Sequence, residues 1–121
     1  MLPFPAVTVR TKRIYDPPER SDGYRVLVDR LWPRGISKQR AKLDEWAKEL
    51  APSDELRKRF HRKRESWDEF RSAYRAELED HPNTLDHLRK RARKKRVTLL
   101  YAARDTERNN AVVLAELLEK R

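Results

Sequence analysis

The sequence predicts an α/β fold: a small, mostly parallel β-sheet of about three or more strands flanked by helices, a Rossmann-like three-layer sandwich. Three observations predict it. Residues 7–15 alternate with period two, and 24–31 and 97–102 are near-continuous apolar runs of strand length. Between 37 and 95, and again after 110, the apolar spacing changes to the 3.6 of a helix. No repeat or low-complexity segment interrupts this order, and residues 1–121 read as a single domain around one core.

The elements follow in order. In AVTVRTKRIYDPP, Val7, Val9 and Thr11 alternate with Thr8, Arg10 and Lys12 until Pro17 and Pro18, so a first strand ends near Tyr15. DPPERSDG is turn material, in which Gly23 is the residue free to take a positive φ. YRVLVDRL reads as a second strand over 24–31, stopped by Pro33 and Gly35. Alternation along it groups Arg30 with Val26, Val28 and Trp32, and Asp29 with Leu27 and Leu31, so the two charges point to opposite layers. The link between these strands is shorter than the roughly dozen residues of a parallel crossover, and their relative direction stays open.

Ser37 is placed to cap a helix with Leu43, Trp46, Ala47 and Leu50 at i, i+3, i+4 and i+7, ended by Pro52. Ser53 caps a short basic helix with Leu56 and Phe60 inward. Ser66 and Glu69 form the capping box of a helix with Trp67, Phe70, Tyr74 and Leu78 on one stripe. Asn83, after Pro82, caps a helix burying Leu85, Leu88 and Ala92. In RVTLLYAARD, Val97, Leu99 and Tyr101 face away from Thr98, Leu100 and Ala102, and both faces are apolar or small, as in a central strand covered on two sides. A last helix turns Val113, Leu114, Leu117 and Leu118 inward.

Composition narrows the chemistry. The chain has no cysteine, which excludes disulfides, thiolate metal sites and thiol nucleophiles. Two glycines are too few for a phosphate-cradling loop. MLPFPAVTVRTK lacks a signal-peptide core, and no later stretch approaches the ~20 apolar residues of a membrane span, so a cytoplasmic protein is expected. Lys and Arg number 30 against 20 acids, a net charge of +10 that favours anionic partners.

Open α/β sheets bind ligands outside the carboxyl ends of their strands. Those ends bring together Arg13, Tyr15 and Asp16 from the first strand, and Asp29, Arg30, Arg34 and Lys38 from the second. The third adds Tyr101, Arg104, Asp105, Asn109 and Asn110. Arginine's planar fork suits phosphate or carboxylate oxygens. Asp105 or Thr106 is placed to cap the final helix, Asn109 and Asn110 add amide donors, and free backbone N–H groups there favour an anion. A small phosphate- or carboxylate-bearing ligand is therefore expected, held by a binder or by an enzyme. In an enzyme, Asp29 or Asp105 would accept a proton and Tyr101 would donate one. Internal ion pairs, such as Asp29 with Arg13 or Arg30 with Asp105, are the competing structural explanation.

No nucleophile arrangement is visible: Ser37 and Ser53 read as caps, and none of His61, His81 and His87 sits at a strand end. His61 reads as a solvated or capping histidine, and neither a metal site nor a cofactor is expected. The alternative function is nonspecific nucleic-acid binding through the basic runs 57–64 and 89–96. In the second run Arg89, Lys90, Arg91, Arg93, Lys94 and Lys95 flank the inward Leu88 and Ala92, which makes them an exposed helical face; ordinary solvation accounts for such faces more often.

KRIYDPPERSDGYRVLVDRLWPRGISK, DEWAKELAPSDELRKRF and VTLLYAARDTERNNAVVL together resemble the YeaO-like family, small bacterial and archaeal proteins catalogued as domain of unknown function 488. The resemblance covers nearly the whole chain and implies a cytoplasmic single-domain α/β protein without an assigned reaction. Larger relatives in that superfamily carry Cys-Ala-Glu at the end of the last strand and Cys-His-Arg at the next helix start. The corresponding places are Tyr101-Ala102-Ala103 and Asn109-Asn110-Ala111. Both sulfurs and the histidine are missing, so no thiol mechanism carries over. The methyltransferase label of some members finds no glycine-rich cofactor loop here.

Overall fold

The computed structural model describes residues 7–63 and 66–120. Among them, β1 (Val9–Arg13), β2 (Tyr24–Leu27), β3 (Glu45–Trp46) and β4 (Val97–Tyr101) form one sheet in the order β1-β4-β2-β3, and every pairing is parallel. Around it lie α1 (Lys38–Ala41), α2 (Asp54–His61), α3 (Trp67–Leu78), α4 (Pro82–Lys94) and α5 (Asn110–Glu119). No helix among the described residues is long and apolar enough to cross a membrane.

β4 is the central strand, and all five of its residues are buried. On one face Val97, Leu99 and Tyr101 join Val26 and Val28 under α2–α5, where Leu56, Phe70, Tyr74, Leu88, Val113 and Leu118 complete the larger core. On the other face Leu100 and Leu27 join Ile14, Ile36 and Ala41 in a smaller core beneath α1. The three layers follow from this alternation, as expected for a parallel sheet buried on both sides.

β1 and β2 are both parallel to β4, which lies between them. Ile14–Gly23 therefore crosses over without an α-helix, with a 3₁₀ turn at Arg20–Asp22 near its end. Some ten residues in extended form reach ~33 Å, enough to return along a strand of ~17 Å and step across two strand spacings of ~10 Å. The crossover is nailed down by Asp22, which is fully buried. Its carboxylate accepts from Arg10 and Arg25 and from Lys12 Nζ at 3.1 Å, and Glu19 N–H donates to it at 2.9 Å. The Asp22 carbonyl accepts from Thr98 Oγ1 at 2.6 Å, tying the turn to β4. Burial alone would raise the Asp22 pKa. The Glu19 N–H, Lys12 and Arg25 reverse that and hold it at about 2. Gly23 follows with φ 68°, where a Cβ would stand 2.3 Å from the Arg96 carbonyl oxygen that Tyr24 N–H needs as acceptor.

Several expectations are corrected. β2 ends at Leu27, and Asp29 and Arg30 lie beyond it, so strand alternation does not govern them: Trp32 joins the smaller core whereas Val26 and Val28 belong to the larger. The helix expected to carry Leu43–Leu50 is replaced by α1, which stops at left-handed Lys42 (φ 47°), then by β3 and a 3₁₀ turn at Lys48–Leu50. Asp44 N–H and carboxylate grip the Arg25 backbone at 2.8 Å each, and Ala47 N–H donates to Leu27, which zips this segment onto β2. Leu43 and Trp46 then pack on one sheet face and Ala47 and Leu50 on the other, so the helical spacing arises from strand alternation followed by a turn. His81 stands at the N-cap position of α4 without a side-chain capping bond, Pro82 is in its first turn, and Asn83 lies inside the helix. Ser37, Ser53 and Ser66 cap as expected.

Asp22→Asn is expected to destabilise the protein by roughly 3–5 kcal/mol, because it leaves buried cations without their counter-charge. Because the folded pKa lies below the ordinary 3.8, the Asp22 contribution is complete above pH 4 and is lost as pH falls towards about 2. Urea titrations across that window should show a loss of about 2 kcal/mol that Asp22→Asn lacks. Gly23→Ala should cost roughly 1–3 kcal/mol in the same assay.

Candidate functional site

A cleft of about 830 Å³ opens at the carboxyl ends of the strands. Its floor is built where the chain leaves β2. Val28 N–H still donates to Leu100 at 3.0 Å, and the next residue, Asp29, turns its carboxylate between β4 and α5. One Asp29 oxygen accepts from Ala102 N–H at 2.9 Å and the other from Asn110 Nδ2 at 3.0 Å. Asn110 also donates to the Val28 carbonyl at 2.9 Å, and Trp46 Nε1 donates to the Asp29 carbonyl at 2.7 Å. Burial pushes the Asp29 pKa up, and the Asn110 and Ala102 donors draw it partly back.

The wall from α2 and α3 is aromatic. Phe60 stacks on Phe70 with centroids 4.4 Å apart, and Trp67 stacks on Phe70 at 5.8 Å. The loop after β2 adds Leu31, the exposed large apolar side chain of the described residues at 61 % exposure, and Trp32, which packs edge-on against Trp46 at 5.3 Å. The rim is cationic. Arg34, Lys63 and Arg104 line it with no ion pair or side-chain hydrogen bond among the described residues. Arg57 reaches Asp54 at 3.6 Å while its buried Nε has no hydrogen-bond partner among the described residues, and Arg30 leans on Asp54 at 3.8 Å and on the Pro52 carbonyl at 3.4 Å.

Of the residues expected at the strand ends, the cleft brings together Tyr15, Asp29, Arg30, Arg34, Arg104, Asp105, Asn109 and Asn110. Tyr15 donates to the Arg34 carbonyl at 2.9 Å and fixes that loop. Arg13, Asp16, Lys38 and Tyr101 do not line it. Arg13 donates to the Ala103 carbonyl at 2.9 Å and lies 5.1 Å over the Tyr15 ring, so it braces the exit of β4. Lys38 opens α1. Tyr101 is buried in the larger core, and burial raises its pKa. The ion pairs of Asp29 with Arg13 and of Arg30 with Asp105 are replaced by the contacts above.

The start of α5 also differs. Its N-cap is Asn109, which accepts from Val112 N–H at 3.0 Å, rather than Asp105 or Thr106. Asp105 caps the preceding turn, accepting from Glu107 and Arg108 N–H at 2.9 and 3.0 Å, which lowers its pKa. Of the amides at that helix start, Val112 N–H is thus held by Asn109, and Glu107 and Arg108 N–H by Asp105. Sequence reasoning missed the contribution of α2, where Arg57, Phe60 and His61 reach the cleft together. Their i, i+3, i+4 spacing marks one helical face; its direction is set only by packing. In the basic run of α4, Arg89 donates to Asp86 at 3.3 Å and to the Leu117 carbonyl, and Arg91 lies over the Tyr24 ring at 4.7 Å. Lys90, Lys94 and Lys95 stay exposed and Arg93 half-buried.

Residues 8–121 match the family model DUF488-N3i, described as the inactive DUF488-N3 subclade. The chain is 52 % identical over 112 residues to the uncharacterized protein YeaO of Escherichia coli strain K12, covering 93 % of this chain and 97 % of that one. This protein belongs to the YeaO-like DUF488 family. Two further members are the uncharacterized proteins Mb3100c of Mycobacterium bovis and Rv3073c of Mycobacterium tuberculosis strain H37Rv, each 45 % identical over 113 residues, covering 93 % of this chain and 95 % of the relative. No solved structure matches the chain. In this DUF488 protein Ala102, Ala103, Asn109 and Asn110, which stand where larger relatives were expected to carry Cys-Ala-Glu and Cys-His-Arg, all line the cleft.

Asn110→Ala removes a donor that holds the Asp29 pKa down. The variant is expected to move the Asp29 carboxyl titration upward, as read by ¹³C NMR; an unchanged or lowered midpoint would contradict the assignment of Asn110.

Proposed function

We propose that this protein binds a small anionic ligand, bearing phosphate or carboxylate, in the strand-end cleft and performs no chemistry on it. The observation that carries the reading is the imbalance at the rim: Arg34, Lys63 and Arg104 have no ion pair or side-chain hydrogen bond among the described residues, while the cleft's two carboxylates, Asp29 and Asp105, are engaged by backbone and amide donors. Convergent unpaired cations raise the local concentration of anions and lower the cost of desolvating them.

Two observations favour binding without catalysis. The family description is of an inactive subclade, and Tyr101, Asn109 and Asn110 stand where the larger relatives are expected to carry their two cysteines and histidine. Asp29 is the one half-buried acid of the cleft, and each of its oxygens already holds a donor, so it serves the architecture before it serves a proton transfer.

Inorganic phosphate at low ionic strength should raise the melting temperature. At a hundred times its Kd the gain is about 2.7 kcal/mol, and sodium chloride should progressively abolish it. The double variant Arg34→Ala/Lys63→Ala should fold and lose most of the gain. A wild-type protein that phosphate and citrate leave unshifted, or a variant shifted equally, would overturn the proposal.

A further inference from the structure

Resting on the anion-binding reading, the cleft says more about its ligand through features that a simple anion leaves unused. Its volume of about 830 Å³ lies within the ~300–1,000 Å³ of sites for small organic ligands, well above the needs of a phosphate ion. The wall is unpolar where the rim is cationic. Phe60 and Trp67 are half-buried, their rings are 5.9 Å apart, and both line the cleft instead of disappearing into the core as Tyr74 does. Trp67 is the first residue of α3, at the point where that helix meets the cleft.

The charges are also ordered in depth. The carboxylate, Asp29, lies half-buried at the floor, whereas Arg34 and Arg104 are exposed at the mouth with Lys63. An anion is repelled from the floor and held at the rim. Each Asp29 oxygen takes a single hydrogen bond from the fold, and a carboxylate oxygen has room for a second, so the floor takes a hydroxyl or amino donor. Between rim and floor runs the aromatic wall.

We infer that the ligand of this cleft is a nucleoside monophosphate or a molecule of the same build: phosphate at the cationic rim, a planar ring against Phe60 and Trp67, and hydroxyl or amino donors towards Asp29. The wall supplies sequence-tolerant stacking in which any base has a face to offer, and the rim supplies the salt-sensitive part of the affinity.

The test is a titration series followed by tryptophan fluorescence and calorimetry at fixed low salt, with adenosine 5′-monophosphate, ribose 5-phosphate, adenosine and inorganic phosphate as probes. The monophosphate is expected to bind about tenfold or more tightly than ribose 5-phosphate, and adenosine to bind more weakly than the monophosphate. Trp67→Leu should bring the monophosphate to within twofold of ribose 5-phosphate while leaving the latter's affinity unchanged. Arg34→Ala should weaken both phosphates by similar factors. Equal affinities for the monophosphate and ribose 5-phosphate in the wild-type protein would overturn this inference while leaving anion binding standing, and that comparison needs no variant to fold. Absence of binding by all four probes would overturn both. Adenosine binding as tightly as its monophosphate would uphold the ring site and sink the anion site.

Discussion

Asp22 decides how this chain folds, because it makes a short crossover into a stable one. A chain leaving β1 and returning to β2 without a helix has little apolar surface with which to hold itself to the sheet. The crossover compensates with charge. Asp22 draws Arg10 and Lys12 from β1 and Arg25 from β2 onto one buried carboxylate, and its carbonyl takes the Thr98 hydroxyl of β4. Three strands are thereby fixed from a single residue. Gly23, pressed against the Arg96 carbonyl, lets β2 start immediately afterwards. The +10 charge of the chain is thus not wholly a surface property, since part of it is consumed in this buried knot.

The position of the cleft depends on that arrangement. With β1, β4 and β2 parallel and in register, their carboxyl ends release Tyr15, Ala102 and Asp29 on the same edge. Asp29 repeats at this edge the device of Asp22: a single carboxylate ties the end of one strand to the backbone beyond another and to the start of α5. The difference is in what surrounds it. Asp22 has three cations and a pKa pulled down, whereas Asp29 has amide donors and a pKa pushed up by burial. Arg34, Lys63 and Arg104 stay at the mouth of the cleft without an ion pair among the described residues, and on the proposed reading they are what an anion would meet there.

How much of this was legible in the sequence follows the range of the interactions. Ser53, Ser66 with Glu69, and the apolar faces of β4 are local patterns, and they read correctly. The strand-end rule brought Asp29, Arg34, Asp105 and Asn110 to one edge, where they line the same cleft, because a parallel sheet aligns its ends whatever its strand order. Residues 43–50 misled because Leu43, Trp46, Ala47 and Leu50 have helical spacing, yet Arg25 and Leu27 offered backbone partners that a lone sequence window does not show. Arg13 and Tyr101 sit at strand ends but spend their side chains inside the fold. Phe60, His61 and Trp67 come to the cleft from helices far along the chain, and no spacing announces a meeting of that kind.

The account is tested most directly by following every amide of the ¹⁵N-labelled protein by NMR while inorganic phosphate is added. It predicts that saturable shifts concentrate in the loop 29–35 and in 102–110, with smaller ones near the end of α2 and none beyond baseline in α4. Shifts centred on Lys90, Lys94 and Lys95, or weak unsaturable shifts spread over the whole basic surface, would contradict it.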